Sequence, residues 1–335
     1  MSGKKKLFWS LFSALLAGLT IWAVMSQSKQ WSLESMIDSL KNANPVWLCM
    51  AVLCTVMFVV FECAALSLIL KGIGYAQTFS RSLIYSTSDI YFSAITPSAT
   101  GGQPASAYFM VKDGVPAGAA TVALLVNLIL YTVSLVLLGL VSKILIGVGF
   151  VLQVGLTVVF FILLGEGPFV FGVLRRFLNF LHRKKLIHRL ERKLEKLDRA
   201  QREYESCARV MKSRRGAFAL ALLWNILQRA SQLAVPACLY LALGGKPSGA
   251  LALFATQCLV VLGYAPVPIP GAMGVADYLM LDAFACLSFI ATEEAFRLEM
   301  LSRGLTFYIC VAVSGVITLI GYLLLRKREK GLESQ

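Results

Sequence analysis

Long apolar stretches with few charged residues follow one another along most of the chain. A transmembrane helix needs about 20 predominantly apolar residues, and several stretches reach or approach that length. They cover residues 7–28, 45–70, 116–142, 144–165, 216–243 and 304–325. This pattern predicts an all-α, polytopic membrane protein with about six full transmembrane helices.

Two further apolar segments, residues 82–111 and 247–290, are interrupted by proline and glycine. The first contains Pro97-Ser98-Ala99-Thr100-Gly101 and the second Pro270-Gly271-Ala272-Met273-Gly274, so both read Pro-x-Ala-x-Gly. Non-helical backbone at membrane depth is tolerated only where it is buried in protein or lines a wet cavity. Because proline and glycine interrupt both segments, we predict a broken hairpin at each. Matched broken segments also point to the binding site of transporters built from repeats.

The distribution of charge gives each hairpin a side of the membrane. The net charge is +14, and residues 175–215 alone hold 15 Lys or Arg against 5 Asp or Glu. Basic residues also flank the first and last apolar stretches, and such flanks mark the cytoplasmic side. An even number of crossings must then precede residue 175, which makes 82–111 re-entrant. The segment 247–290 is entered from the opposite face, so the two hairpins form an inverted repeat.

The chain therefore divides into two membrane halves, residues 1–170 and 216–335, joined by a basic cytoplasmic loop at 171–215. We expect both termini in the cytoplasm, an uncleaved first helix, and eight transmembrane segments if 247–290 spans the bilayer instead of re-entering. Residues 186–204 have the spacing of an amphipathic helix. That helix is interpreted either as a platform for anionic lipid or as a topology determinant with a packing stripe.

Composition excludes several classes of function. The basic charge flanks apolar stretches, so it indicates a membrane surface and no nucleic-acid partner. Both histidines, His182 and His188, lie in the basic loop, and the chain has no G-x-S-x-G, H-E-x-x-H or Walker A motif. The eight cysteines form no C-x-x-C pair. We predict no catalytic residues, no metal site and no cofactor.

Charged residues inside apolar helices are the first candidates for a binding site, because a charge at the bilayer centre costs about 2.5–3.5 kcal/mol. Glu62 and Arg229 both lie deep in predicted helices, and Asp89 precedes the first break. Three amides share the helix face of Arg229 by their spacing: Asn225, Gln228 and Gln232. Two interpretations stay open. The face bonds to other helices, with an Arg229–Glu62 or Arg229–Asp277 ion pair, or it forms a groove in which Arg229 grips a phosphate. Asn127, Tyr131 and Ser134 form a weaker stripe, for which we favour packing.

The breaks themselves supply the second group of candidates. A helix that restarts after a break aims free N–H groups inward and can bind an anion, and side chains beside it add partners. In the first break these candidates are Thr96, Ser98, Thr100, Gly101, Gly102 and Gln103. In the second they are Gly271, Gly274 and Asp277.

The two breaks resemble a known family. Residues 96–104 (Thr-Pro-Ser-Ala-Thr-Gly-Gly-Gln-Pro) and 268–277 (Pro-Ile-Pro-Gly-Ala-Met-Gly-Val-Ala-Asp) are similar to the two signature stretches of the flippase-like transmembrane family. That family is named after the membrane part of bacterial lysylphosphatidylglycerol synthase. Asp277 matches its acidic residue, Ala272 replaces a glycine, and Ser106 stands where an arginine is frequent.

The resemblance implies a protein of the bacterial cytoplasmic membrane that moves an aminoacylated or other phosphate-bearing lipid between leaflets. The alternative is a phosphatidylglycerol lysyltransferase, or its membrane subunit, with a role in resistance to cationic antimicrobial peptides. Only ten residues follow Leu325, so we expect no transferase domain in the chain. A membrane phospholipid and a separate cytoplasmic synthase are the partners that the resemblance implies.

Overall fold

The computed structural model describes most of residues 37–146 and 190–333. Within these stretches residues 39, 97, 98, 265–274, 286 and 288 are not described, and between them only 172, 175, 176, 178, 179 and 183 are. The predicted helix at 7–28, nearly all of that at 144–165 and the second break lie outside the described residues.

The described part of the chain is all-helical and contains no strand. Its helices are α1 (Pro45–Gly72), α2 (Phe79–Ile95), α3 (Gly102–Lys112), α4 (Ala117–Ile146), α5 (Leu190–Ser213), α6 (Arg215–Ala242), α7 (Pro247–Tyr264), α8 (Val275–Ala285), α9 (Thr292–Arg303) and α10 (Cys310–Glu333). One turn of π-helix, Gly304–Ile309, joins α9 to α10. The all-α prediction is confirmed for these residues.

Three described helices are long and apolar enough to cross a membrane: Pro45–Gly72, Ala117–Ser142 and Glu293–Arg328. The last begins about a dozen residues before the apolar stretch predicted at 304–325. Glu293 and Glu294 lie in the first turn of α9, where their charge favours the positive end of the helix dipole. The charged residues of α9 lower its hydropathy, which is why the pattern missed this part of the helix.

The first predicted break is present. α2 ends at Ile95 and α3 begins at Gly102, and the two helices pack against each other as a hairpin. Within the break, Ala99 adopts a left-handed φ of 53°, and the Gly101 N–H donates to Thr96 Oγ1 over 2.9 Å. Whether this hairpin is re-entrant, and whether 247–290 repeats it in inverted form, stay predictions.

Two apolar clusters lie at opposite ends of the helix pair α1 and α6, which pack along each other. One cluster joins the C-terminal half of α1 to α2, α3, α4 and the start of α6, around Leu70, Tyr85 and Met110. The other joins the N-terminal half of α1 to the end of α6 and to α7, α8 and α9, around Leu239 and Phe284. The buried polar side chains of α1, α4 and α6 lie between these clusters.

Candidate functional site

A cavity of about 880 Å³ opens between α1, α2, α3, α4, α6 and the π-helical turn. Its wall combines apolar side chains with polar and charged ones. The charged residues that line it are Glu62 from α1, Asp89 from α2 and Arg229 from α6. Arg229 lies fourteen residues after Arg215, the first residue of α6, or about 21 Å along the helix axis. The cavity therefore brings charge deep into the apolar part of the fold.

Glu62 is buried, with 6% of its surface exposed, and both of its carboxylate oxygens are occupied. Asn127 on α4 donates its Nδ2 to Oε1 over 2.8 Å, and Gln228 on α6 donates its Nε2 to Oε2. Asn225 extends the network with a weak 3.4 Å bond to Asn127 Oδ1. Buried charge persists only where it is hydrogen-bonded or paired, so these amides explain how three helices tolerate Glu62.

Arg229 is held by neutral groups. Its Nε donates to Gln228 Oε1 over 3.2 Å and its Nη1 to Gln232 Oε1 over 2.6 Å. The guanidinium carbon lies 4.0 Å from the centre of the Tyr131 ring and 5.2 Å from that of Phe58. These contacts orient the guanidinium without neutralising its charge.

The predicted Arg229–Glu62 pair takes an indirect form. Gln228 bonds to Glu62 through its amide nitrogen and to Arg229 through its amide oxygen. Among the described residues no carboxylate lies within 4.0 Å of the guanidinium. The alternative partner, Asp277, lies in α8, and its side chain is outside the described part.

The first break contributes only part of the cavity wall. Thr100 and Gln103 line the cavity, together with Ala99. Thr96 and Gly101 instead close the turn by their mutual hydrogen bond. Of the remaining sequence candidates, Ser98, Gly271 and Gly274 lie outside the described residues.

Gly102 lets α3 begin directly against α2. A Cβ at this position would lie 2.0 Å from both Asp89 Oδ1 and Ser93 Oγ, and Ser93 Oγ donates to Asp89 Oδ1 over 3.0 Å. The start of α3 therefore faces a carboxylate of the protein itself, which the helix dipole favours there.

Sequence reasoning left out several residues that the cavity brings together. The sequence favours packing for Asn127 and Tyr131, and their contacts between helices place them in the site: Asn127 binds Glu62, and the Tyr131 ring lies against Arg229. Their spacing of four residues was the available signal, because it places both on one face of α4. Asp89 was visible as a charge before the break, but only its position against α3 gives it a place in the site.

A buried ion pair lies beside the cavity, in α9. Arg303 Nε is 3.4 Å from Oε1 of Glu299, which is fully buried. Arg303, Thr306 and Gln232 line a small polar cavity of about 60 Å³. Gln232 and Thr306 also line the large cavity, so polar side chains continue from one cavity to the other.

Comparison with known families agrees with this membrane architecture. The family model described as "Lysylphosphatidylglycerol synthase TM region" matches residues 9–332. The chain belongs to this family. It is a membrane protein of the lysylphosphatidylglycerol synthase type, as the apolar helices also indicate, and the resemblance of the two breaks to this family is confirmed. No curated protein matches the chain.

Proposed function

We propose that this protein moves a phosphate-bearing lipid between the leaflets of a bacterial cytoplasmic membrane, with an aminoacylated phospholipid as the preferred substrate. The observation that carries the proposal is the environment of Arg229. Its guanidinium lines a large cavity, is oriented by two amide oxygens and two aromatic rings, and has no carboxylate within 4.0 Å among the described residues.

The geometry of Arg229 suits a phosphate. A guanidinium presents its donors in a planar fork that matches two phosphate oxygens. The described hydrogen bonds use the Nε hydrogen and one of the two on Nη1, so the second Nη1 hydrogen and those of Nη2 remain for two phosphate oxygens. Withdrawal from water strengthens such a charge-assisted bond.

The size of the cavity suits a headgroup. Ligand pockets of about 300–1,000 Å³ hold a small molecule, and this cavity measures about 880 Å³. A glycerophosphate headgroup with an attached amino acid fits such a volume, whereas its two acyl chains do not. We therefore place the headgroup in the cavity and the chains in the surrounding lipid.

Asp89 supplies a complementary charge for the aminoacyl part of the headgroup. It lies on α2 in the same cavity as Arg229, while both oxygens of Glu62 are occupied by amides. An aminoacylated phospholipid carries an ammonium as well as a phosphate, so it can bind both Asp89 and Arg229. Asp89, and not Glu62, is therefore the group that we propose to receive the cation.

The predicted inverted repeat would provide a route for the headgroup. In this scheme the first hairpin reaches the cavity from the cytoplasmic side through Thr100 and Gln103. The second hairpin, with Gly271, Gly274 and Asp277, reaches it from the outer side. Alternation between the two would expose the headgroup site to each leaflet in turn.

Reconstitution in liposomes tests the proposal. Fluorescent lysyl-phosphatidylglycerol would be placed in both leaflets, and its exchange followed after a membrane-impermeant quencher bleaches the outer leaflet. We expect Arg229→Gln to abolish exchange and Arg229→Lys to reduce it, because lysine keeps the charge and loses the fork. Arg215→Gln is the matched control, since Arg215 is an exposed arginine at the start of the same helix.

Two results would overturn the proposal: no exchange of any lipid by the unaltered protein, or equal exchange by the unaltered protein and Arg229→Gln. Unmodified phosphatidylglycerol and phosphatidylcholine, tested in parallel, distinguish a preference for the aminoacylated lipid from general scrambling.

A second candidate function follows from the description of the matched family, which names a synthase. Under this alternative the chain is the membrane partner of an enzyme that attaches lysine to phosphatidylglycerol. Incubating the purified protein with lysyl-tRNA and phosphatidylglycerol, alone and with a candidate cytoplasmic transferase, tests it. Formation of lysyl-phosphatidylglycerol that depends on this chain would support the enzyme alternative.

A further inference from the structure

A second, separate groove of about 490 Å³ lies where the C-terminal helix α10 passes the α2–α3 hairpin. Its apolar wall is formed by Ile84, Phe109, Leu324 and Leu325. The helices approach closely here, since a Cβ on Gly321 would lie 2.6 Å from a methyl group of Ile84. None of the residues that line this groove also lines the cavity of Arg229.

The polar end of the groove is built around Asp113, in the turn after α3. This carboxylate accepts a 2.8 Å hydrogen bond from the Tyr85 hydroxyl and a 2.8 Å bond from Arg328 Nη1. Arg81 Nε lies 3.7 Å from the same carboxylate. Only 6% of the Asp113 side chain is exposed, so the two arginines are held over it at the groove.

Basic charge exceeds acidic charge at this end. Arg81, Lys327 and Arg328 line the groove with three positive charges against the one of Asp113, which leaves an excess of two. The side chains of Arg328 and Arg81 are 57% and 37% exposed, and Lys327 is exposed as well. The hydroxyls of Thr78 and Ser80 also line the groove and can donate to an anion.

The order of these features along α10 matches a lipid molecule. Leu324 and Leu325 belong to the apolar span, which ends at Arg328. The basic groups therefore follow directly after the apolar residues of the helix, which is the order of acyl chain and phosphate in a phospholipid. Basic pockets between transmembrane helices at the cytoplasmic face bind anionic headgroups.

We propose that this groove binds an anionic phospholipid of the inner leaflet. One acyl chain lies against Leu324, Leu325 and Phe109, and the phosphate meets Lys327 and Arg328. The bound lipid bridges α10 to the α2–α3 hairpin without entering the cavity of Arg229. The inference is independent of the proposed lipid transport.

Photo-crosslinking tests the site directly. The protein would be reconstituted in phosphatidylcholine nanodiscs that contain a probe lipid with a diazirine in one acyl chain, either phosphatidylglycerol or, in a parallel sample, phosphatidylcholine. After illumination, mass spectrometry would locate the labelled peptides. Unlabelled phosphatidylglycerol or phosphatidylcholine would be added as a competitor in separate samples. We expect labelling of the α10 segment around Leu324 and of the α2 segment around Ile84, with competition by phosphatidylglycerol alone.

Lys327→Gln and Arg326→Gln form the matched pair of variants. Both residues are exposed at the end of α10, and only Lys327 lines the groove. One basic residue near an anionic lipid contributes about 1 kcal/mol, so we expect Lys327→Gln to weaken labelling about fivefold. Arg326→Gln should leave it unchanged. Neither substitution removes a contact of Asp113, so both variants should fold.

Equal labelling by phosphatidylcholine and phosphatidylglycerol probes would overturn the proposal, as would equal losses in Lys327→Gln and Arg326→Gln. Arg229→Gln separates this site from the transport hypothesis, because labelling of the groove should survive that substitution even where lipid exchange does not.

Discussion

The amide of Gln228 on α6 donates to the carboxylate of Glu62 on α1, across the interface between the two helices. The same amide accepts from Nε of Arg229 through its oxygen. An amide has one donor end and one acceptor end, so these two bonds fix its orientation. Gln228 thereby links the carboxylate of Glu62, whose two oxygens are both hydrogen-bonded, to the guanidinium of Arg229.

Replacing Gln228 by methionine should destabilise the fold. The substitution leaves one oxygen of buried Glu62 and one nitrogen of Arg229 without their partners, at about 1–3 kcal/mol for each buried group left unsatisfied. Unfolding of the purified protein in detergent, followed by circular dichroism, measures the loss. In the double variant Glu62→Met with Gln228→Met both ends become apolar, and we expect a loss smaller than the sum of the single losses. If the loss in the double variant equals the sum of the single losses, the hydrogen bond between Gln228 and Glu62 does not couple the two residues, which would contradict this prediction.

Tyr131 should matter through its ring and not through its hydroxyl. The guanidinium of Arg229 lies 4.0 Å from the ring centre, and a desolvated cation–π contact contributes about 1–2 kcal/mol. We expect Tyr131→Leu to weaken the apparent lipid affinity about five- to thirtyfold, measured from the dependence of exchange on lipid concentration. Tyr131→Phe keeps the ring and should behave like the unaltered protein. A strong effect of Tyr131→Phe would instead assign the role to the hydroxyl.

Gly102 should not tolerate a side chain. A Cβ there would lie 2.0 Å from Asp89 Oδ1 and 2.6 Å from the Asp89 backbone oxygen, so Gly102→Ala must push α3 away from α2. Overpacking of this kind costs about 1–3 kcal/mol, and we expect a lower thermal midpoint together with slower lipid exchange. Gly118→Ala is the control. Nothing lies within 4 Å of a Cβ at Gly118 in α4, so that substitution should be neutral or stabilising, by up to about 1 kcal/mol. Similar losses in both variants would show that the close approach is unimportant.

The sequence predicted the positions of the helices along the chain better than it predicted the contacts between them. Apolar length alone located α1, α4 and α6, because hydrophobic transfer decides which segments enter a bilayer. It did not show that the last long helix extends back to Glu293, since Glu299 and Arg303 lower the local hydropathy while pairing with each other inside the fold.

In the candidate site too, features within one helix were predictable from the sequence, whereas contacts between helices were not. The stripe of Arg229 and its amides follows from helical periodicity within one helix. The position of Tyr131 over Arg229 depends on the rotation of α4 relative to α6, which periodicity within either helix does not specify. The break at residues 96–101 was predictable because proline and glycine interrupt helices for local steric reasons.

Asp89 offers a test of substrate choice. Asp89 and Arg229 line the same cavity, and an aminoacylated lipid carries an ammonium that unmodified phosphatidylglycerol lacks. In Asp89→Asn, asparagine at position 89 keeps an oxygen that can accept the hydrogen bond from Ser93. Its amide oxygen can also accept from N–H groups at the start of α3, as asparagine does at helix N-termini, so the fold should be retained. A charged hydrogen bond contributes about 1.5–3 kcal/mol, and we expect exchange of lysyl-phosphatidylglycerol to fall about ten- to a hundredfold. Exchange of unmodified phosphatidylglycerol should be unchanged or faster, whereas Arg229→Gln should slow both lipids.

Asp282→Asn is the control for the loss of a negative charge, because Asp282 is an exposed aspartate of α8. If Asp89→Asn slows the exchange of both lipids equally, then Asp89 supports the hairpin and does not recognise the ammonium. That result would contradict the proposal that an aminoacylated lipid is the preferred substrate.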